Sequence, residues 1–268
     1  MTLATLNSNL PMYSLPLTVK NPLLSELCRI AAGAGEIIMG YYRTGTAVER
    51  KDDDSPVTEA DRKADDFIAS ELRTLLPHVP VVSEEGTQDP VAGEPYFWLV
   101  DPLDGTKSFI KGGKNWTVNI GMIHKNRPVL GVILAPVHRV MYVGELGAGA
   151  FRIHEGKPAE VIRTRTIPDQ GASVILSHHH ASEEANELVG GVMIFERVAS
   201  ASSIKFCKVA EGTADIYPRK GPTMEWDTAA GQAIVEAAGG RMVNAAGRPF
   251  MYGKPDFLNG PFTVYGAD

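Results

Sequence analysis

The apolar run Tyr96–Val100 leads without a break into Asp101-Pro102-Leu103-Asp104-Gly105-Thr106. A continuous apolar run of this length reads as a strand covered on both faces, as happens when helices pack on each side of a sheet. It stops at a carboxylate followed by proline, which fixes φ and has no amide proton. The spacing predicts a buried strand ending in a rigid turn that aims Asp101, Asp104 and the Leu103 carbonyl at one region. Gly105 leaves out a side chain where a ligand can approach the backbone. The amides of Gly105 and Thr106 can meet an anion oxygen, and Thr106 adds a hydroxyl able to orient a water.

The flanking pattern supplies the layers. Asn21-Pro22 is a helix start, a good N-cap followed by a first-turn proline. Leu23, Leu24, Leu27, Ile30, Ala34, Ile37, Ile38 and Tyr41 then recur at helical spacing. A polar loop is expected over Glu49–Pro56. Thr58, with Asp61 three residues on, resembles a capping box before a second helix. Val79–Val82 reads as a short strand ending at Ser83-Glu84-Glu85-Gly86. A β-meander follows over Trp116–Val143. Beyond about residue 160, strands at Ser173–Leu176 and Ala214–Tyr217 alternate with helices at Ser202–Gly212 and from Trp226-Asp227 to Gly239-Gly240, the pattern of an α/β half. The expected division is a loose extension at 1–20, an α+β half at 21–155 and an α/β half at 156–268, and 268 residues fit one or two domains at about 150 each.

Composition excludes several classes. With 44% hydrophobic and 22% charged residues the chain is ordinary globular protein, not disordered or collagenous. A net charge of -6 with no basic block argues against binding nucleic-acid polymers. Cys28 and Cys207 make neither a disulfide framework nor a Cys-x-x-Cys site, which fits a reducing compartment. No apolar run approaches the ~20 residues of a membrane span, and no secretory pattern opens the chain.

Glu84, Glu85, Asp101, Asp104 and Asp227 all fall where apolar elements stop or helices start. Singly, Asp-Pro and Asp-Gly are common turns, and Trp-Asp before a helix is a common cap. Jointly they form an oxygen-only donor set that repels itself and calls for a hard cation such as Mg²⁺, Mn²⁺ or Ca²⁺. His178-His179-His180 reads as a loop near the rim rather than a metal site. Cys207 reads as a small core residue rather than a nucleophile.

Four blocks carry a family resemblance: Val57-Thr58-Glu59-Ala60-Asp61, Ser83-Glu84-Glu85-Gly86, Trp98 through Lys111, and Trp226-Asp227-Thr228-Ala229-Ala230-Gly231 through Gly239-Gly240. In this order they resemble the inositol monophosphatase superfamily, over roughly residues 22–262. Within it, Lys51 through Thr58, Ser202-Ser203-Ile204-Lys205-Phe206-Cys207, Val209-Ala210-Glu211-Gly212 and Tyr217 through Thr223 look most like the bacterial 3'(2'),5'-bisphosphate nucleotidase branch. Gly112-Gly113-Lys114-Asn115-Trp116 and Lys220 depart from that branch, which bears on substrate detail.

The resemblance implies a layered αβαβα sandwich of the inositol monophosphatase and fructose-1,6-bisphosphatase type. It implies hydrolysis of the 3'(2')-phosphate by an activated water, as part of sulfur metabolism in the cytoplasm, with a place on the inner membrane face left open. The cofactor would be two or three Mg²⁺ ions, with Mn²⁺ an alternative and Li⁺ and Ca²⁺ inhibitory. Glu84, Asp101 and the Leu103 carbonyl would hold one ion, and Asp101, Asp104 and Asp227 a second. Thr106, Asp61 and Glu84 would prepare the water. Lys51, Gly105, Thr106, Lys205 and Asp227 would contact substrate, with Arg219 a further candidate. The implied partner is a small phosphorylated nucleotide, and the protein a monomer or homodimer. Two alternatives stand beside this reading. One is an inositol-1-phosphatase or other phosphomonoesterase of the same fold. The other is a non-catalytic phosphometabolite-binding protein, which the intact set Glu84, Asp101, Asp104, Thr106 and Asp227 disfavours.

Overall fold

The Asn21 side chain accepts a hydrogen bond from the Leu23 amide at 3.1 Å and so starts the first helix, α1, Pro22–Thr44. In the computed structural model the described residues are 13–16, 19, 21–45, 48–50, 56–86, 88–177 and 188–267. A second helix, α2, spans Glu59–Leu75 and buries Ala60, Ala64, Ile68 and Leu72 at a spacing of four. The Thr58 amide and hydroxyl both donate to Asp61 Oδ2, at 2.8 and 2.5 Å, so the expected start of this helix rests on the aspartate.

These two helices cover one face of a seven-stranded sheet. Its strands are β3 (Val81–Ser83), β4 (Tyr96–Asp104), β5 (Thr117–His124), β6 (Arg127–Ala135), β7 (Val140–Glu145), β8 (Gly149–His154) and β9 (Glu160–Ile162), in sequence order across the sheet. Only the β3–β4 pair is parallel. The apolar run behaves as its pattern requires. Trp98 and Val100 join the core beneath α1 and α2, while Phe97 and Leu99 join the core on the opposite face, because successive side chains of a strand point to opposite faces.

The second half builds a five-stranded sheet from β10 (Ala172–Ser177), β11 (Ile194–Ser200), β12 (Ile216–Arg219), β14 (Arg241–Asn244) and β16 (Phe262–Tyr265), in the order β11-β10-β12-β16-β14. A two-residue pair, β13 (Thr223–Met224) with β15 (Leu258–Asn259), lies beside it. Helices α4 (Ile204–Ala210) and α5 (Ala229–Ala237) fill the space between the sheets, where Phe206, Ile234 and Val235 share one core with Ile133 and Val264. The described layers therefore run helix, sheet, helix, sheet. On the outer face of the small sheet Val189 packs with Val174, Leu176 and Ile216. Residues 178–187, just before it, lie outside the described residues.

Several expectations need correction. The polar loop expected over Glu49–Pro56 has structured ends, since β1 (Val48–Arg50) pairs antiparallel with β2 (Pro56–Thr58). Strand β4 does not stop at Asp101. It continues to Asp104 across an irregularity at Pro102 and Leu103, where Asp101 faces Asn119 and Asp104 faces Thr117. The extra residue forms a bulge, a position in a sheet that tolerates proline. The helix expected from Trp226-Asp227 begins as a single 3-10 turn, Glu225–Asp227, before α5. Tyr13, Leu15 and Val19 of the N-terminal segment pack against the α1–α2 core. Cys28 and Cys207 are free and buried, and burial pushes the Cys207 thiol up. Among the described residues no helix is long and apolar enough to cross a membrane.

Helix α5 seats on a stripe of glycines. Gly121, Gly131 and Gly144 are direct cross-strand neighbours on β5, β6 and β7. A Cβ at Gly121 would meet the Ala229 methyl and the Ala230 nitrogen at 2.9 Å, and one at Gly144 would meet the Ile234 Cα at 2.6 Å. At Gly131 it would strike the Ala230 carbonyl oxygen. None of the three has positive φ, so what they provide is room. Gly131→Ala should therefore overpack this contact and destabilise the fold by about 1–3 kcal/mol. Urea unfolding would measure it, and unchanged stability would show that α5 shifts without cost.

Candidate active site

Three separate segments deliver the acidic cluster. Glu84 follows β3, Asp101 sits in β4 just before the bulge, and Asp227 ends the 3-10 turn ahead of α5. One carboxylate oxygen from each lies within 4.8 Å of the others. Asp101 is buried, with Oδ1 accepting from the Leu103 amide at 3.0 Å. Asp227 Oδ2 accepts from the Met224 amide at 2.8 Å. Asp104, beyond the bulge, accepts from the Ser203 amide at the start of α4. The bulge thus turns Asp101 toward the cluster and Asp104 toward the second half of the molecule.

Thr106 and Asp61 meet although 45 positions separate them. The Thr106 hydroxyl lies 3.2 Å from Asp61 Oδ1 and 3.1 Å from the Leu103 carbonyl oxygen, and can donate to either. Asp61 is buried, and its Oδ2 is already taken by Thr58. Gly105 has φ 97, and a Cβ there would meet the Asn115 carbonyl at 3.0 Å. The glycine is required by the backbone itself, in addition to the ligand access read from the sequence.

The electrostatics follow from burial. Loss of solvent, then repulsion from Glu84, Asp104, Asp227 and Asp61, pushes Asp101 well above the usual carboxylate range. Asp227 is raised likewise, by burial and then by Asp104 and Glu84. Burial also raises Asp104, opposed by Lys205 and by donors from Ser203, Ser202 and Asn119. Asp61 is raised by burial, opposed by its bonds from Thr58 and Thr106. An all-oxygen donor set under this repulsion suits a hard divalent cation.

A cavity of about 810 Å³ opens from this cluster between the two halves. Asp104, Gly105 and Asp227 line it together with Lys205, Tyr217 and Arg219. Lys205, on α4, is only 5% exposed. Its Nζ donates to the Ser202 carbonyl at 2.6 Å and lies 5.3 Å from the centre of the Tyr217 ring. Burial lowers its pKa to about 8, with Asp104 acting against that shift. Arg219 donates to the Ser177 hydroxyl at 2.9 Å and to the Gly221 carbonyl at 3.2 Å. Lys51 and His178-His179-His180 lie outside the described residues.

The residue pattern also missed a supporting layer. Ser203 Oγ donates to Asn119 Oδ1 at 2.7 Å, and Thr117 Oγ1 lies 2.7 Å from the hydroxyls of both Ser202 and Ser203. Thr117, Asn119 and Ser203 are buried. This network joins β5 to the start of α4 and holds Asp104 between them. Its only trace in the sequence is a pair of polar residues at alternate positions of an otherwise apolar strand.

Raised carboxyl pKa values carry a definite sign for stability. Between the ordinary and the raised values the folded protein binds more protons than the unfolded chain, so cation-free stability falls as pH rises from about 4 toward neutral. Asp101→Asn removes one repelling charge. Its cation-free Tm at neutral pH should exceed wild type by a few degrees, given about 2–4 °C per kcal/mol for a chain of this size. Added Mg²⁺ should raise the wild-type Tm and leave the variant nearly unmoved. Calorimetry with and without the ion would check this, and a lower cation-free Tm for the variant would contradict the repulsion.

Known proteins share both sequence and architecture with this chain. The 3'(2'),5'-bisphosphate nucleotidase CysQ of Salmonella typhimurium is 43% identical over 251 residues, covering 90% of this chain and 99% of that protein. The protein of the same name from Buchnera aphidicola is 36% identical, covering 90% and 92%. The crystal structure of CysQ from Bacteroides thetaiotaomicron superposes with a TM-score of 0.79 at 36% identity, over 93% of this chain and 99% of that one. The Thermotoga maritima IMPase, at 23% identity and a TM-score of 0.75, shows the same fold. Residues 20–265 match the model of the inositol monophosphatase family, and to that family the chain belongs.

Proposed function

We propose that this protein is a Mg²⁺-dependent 3'(2'),5'-bisphosphate nucleotidase, releasing phosphate from the 3' position of 3'-phosphoadenosine 5'-phosphate to leave AMP. The observation that carries this reading is that Asp227 of the Glu84–Asp101–Asp227 cluster, and Gly105 beside the Thr106–Asp61 contact, line the same cavity as two cations, Lys205 and Arg219. An acidic end suits a cation-assisted phosphoryl transfer, and a basic wall suits a second phosphate that does not react. The relatives' name, 3'(2'),5'-bisphosphate nucleotidase, supports the same substrate class.

Glu84, Asp101, Asp227, Asp104 and the Leu103 carbonyl are the groups that would hold the ions. Bound divalent cations would supply positive charge to the phosphoryl oxygens and lower the pKa of a water. The protein's own part is proton handling and placement. With its proton donated to Asp61 Oδ1, the Thr106 oxygen is free to accept from the attacking water. Asp61, raised by burial, is a better proton acceptor than an ordinary aspartate. The water oxygen bonds to phosphorus as the bond from phosphorus to the 3' oxygen breaks; the water's proton passes by way of Thr106 toward Asp61, and the leaving 3' oxygen takes a proton from solvent to become a hydroxyl. Lys205 and Arg219 would hold the 5'-phosphate, and binding energy from that remote group would position the reacting one.

Phosphate release from 3'-phosphoadenosine 5'-phosphate and from inositol 1-phosphate, each with Mg²⁺ and with chelator, tests the assignment. Preference for the inositol phosphate, or full turnover in chelator, would overturn it. Thr106→Ala keeps every candidate ligand side chain and should cut kcat by ~10²–10⁴ with little change in KM, the size expected for a positioned proton-transfer group. Lys205→Ala should cost roughly ten- to a hundredfold in kcat/KM on the bisphosphate, as for a charge-assisted contact, and much less on inositol 1-phosphate. Equal losses on the two substrates would make Lys205 a packing residue.

A further inference from the structure

Helix α2 sends a second buried carboxylate toward the site. Asp65 lies four residues after Asp61, on the same face of the helix, and is 5% exposed. The mechanism above gives it no part. Asp61 reaches Thr106, the first residue of α3 (Thr106–Ile110). Asp65 reaches the other side of the cluster. Its Oδ1 accepts from the hydroxyl of Ser83, the residue before Glu84. Its Oδ2 faces Gly86, where a Cβ would come within 2.6 Å of it. Gly86 has no positive φ, so what this glycine provides is room for the carboxylate. One carboxylate therefore stands against both ends of Ser83-Glu84-Glu85-Gly86. That segment needs such a hold. Strand β3 has 3 residues and lies at the edge of its sheet, so β4 pairs with it on one side only. The pairing runs out at the Glu84 amide, which donates to the Val100 carbonyl at 3.1 Å. Beside the segment a cleft of about 500 Å³, lined by Asp65, Ser70, Ser83 and Gly86 among others, takes the place of packed side chains. A buried carboxylate costs stability unless hydrogen bonds compensate, and here the compensating hydroxyl belongs to the neighbour of Glu84.

We propose that Asp65 is a positioning residue for Glu84: through the Ser83 hydroxyl and the Gly86 backbone it fixes the end of β3, so that the Glu84 carboxylate already faces Asp101 and Asp227 before a cation arrives. The inference rests on the reading that these three carboxylates hold a divalent cation. Clustered carboxylates repel one another. Asp101 and Asp227 are tied by the Leu103 and Met224 amides, and Glu84, just past an edge strand, is the member that repulsion would displace. A ligand set in place beforehand spares the ion the cost of ordering it. The consequence falls on cation affinity and not on proton transfer. Helix α2 thus serves the reaction twice, with Asp61 acting on the water side through Thr106 and Asp65 on the cation side through Ser83.

Calorimetric titration with Mg²⁺ alone reads this without turnover. Asp65→Ala should raise the Mg²⁺ Kd roughly tenfold, as loss of a group that supports a metal ligand does. Asp65→Asn keeps an oxygen for the Ser83 hydroxyl and should bind Mg²⁺ as wild type does. Ser83→Ala removes the linking hydroxyl alone and should weaken Mg²⁺ binding in the same direction as Asp65→Ala. Kinetics on 3'-phosphoadenosine 5'-phosphate should show the matching split. Asp65→Ala should need roughly tenfold more Mg²⁺ for half-activation, with kcat at saturating Mg²⁺ close to wild type. A residue that only packs would lower Tm and leave the Mg²⁺ Kd unmoved. Circular dichroism would verify folding, and if Asp65→Ala does not fold, Ser83→Ala decides. An unchanged Kd in folded Asp65→Ala or in Ser83→Ala would overturn the positioning role. So would Asp65→Asn binding as weakly as Asp65→Ala, since charge and not the hydrogen bond would then be at work. Those outcomes leave the nucleotidase reading intact. A wild type that binds no Mg²⁺ would overturn the cation reading and this inference with it.

Discussion

The contact between α5 and the glycine stripe of the large sheet sets the position of everything that follows. Three side chains are missing where β5, β6 and β7 pass beneath the helix, and the helix backbone comes down into the gap. Because α5 begins just after Asp227, the depth of that seat decides how far Asp227 stands from Asp101. A close-packed interior transmits such a displacement instead of absorbing it. The buried Glu225 carboxylate reinforces the placement. It accepts from the Gly253 and Lys254 amides at 2.8 and 3.0 Å and from Lys254 Nζ at 2.6 Å, tying the turn that carries Asp227 to a distant loop.

Around that seat the molecule separates opposite charges by segment. The large sheet and the turn before α5 contribute the carboxylates, and α4 and β12 contribute the cations. Asp104 lies on the border, held by the Ser203 amide and facing Lys205. The clustering costs stability in the cation-free protein, because buried like charges repel. The same repulsion favours a cation, and a bound cation favours a phosphate. Active sites commonly trade folding stability for function in this way.

The elements that could be read from the chain are those with a strong local signal. The two N-terminal helices, the apolar strand and the meander appear where periodicity and capping put them. Strands β13, β14, β15 and β16 were not legible, since they span two to four residues each and show no clear period. Strand β11 was missed because it is an edge strand with Phe195 and Val198 exposed, so it lacks the apolar signature of a buried one. Pro102 was read as the end of a strand because proline usually ends one. Here the sheet carries it in a bulge, which only the pairing partner on β5 reveals.

The sequence alone determined the chemistry. Asp101-Pro102-Leu103-Asp104-Gly105-Thr106, the Glu84 segment and Trp226-Asp227 name an oxygen-only acidic site, because residue type sets ligand hardness wherever the chain goes. It also named the pair Thr106 and Asp61 through family resemblance. Only the tertiary structure decided that Glu84, Asp101 and Asp227 share a space 4.8 Å across, that Asp104 turns away to Ser203, and that Lys205 and Arg219 line one cavity with Asp227. Those facts depend on residues far apart in the chain, 143 positions for Glu84 and Asp227 and 99 for Ser203 and Asp104. Local pattern carries no information at that range. What closes the distance is the depth of α5 on its glycine seat and the register of β4 against β5.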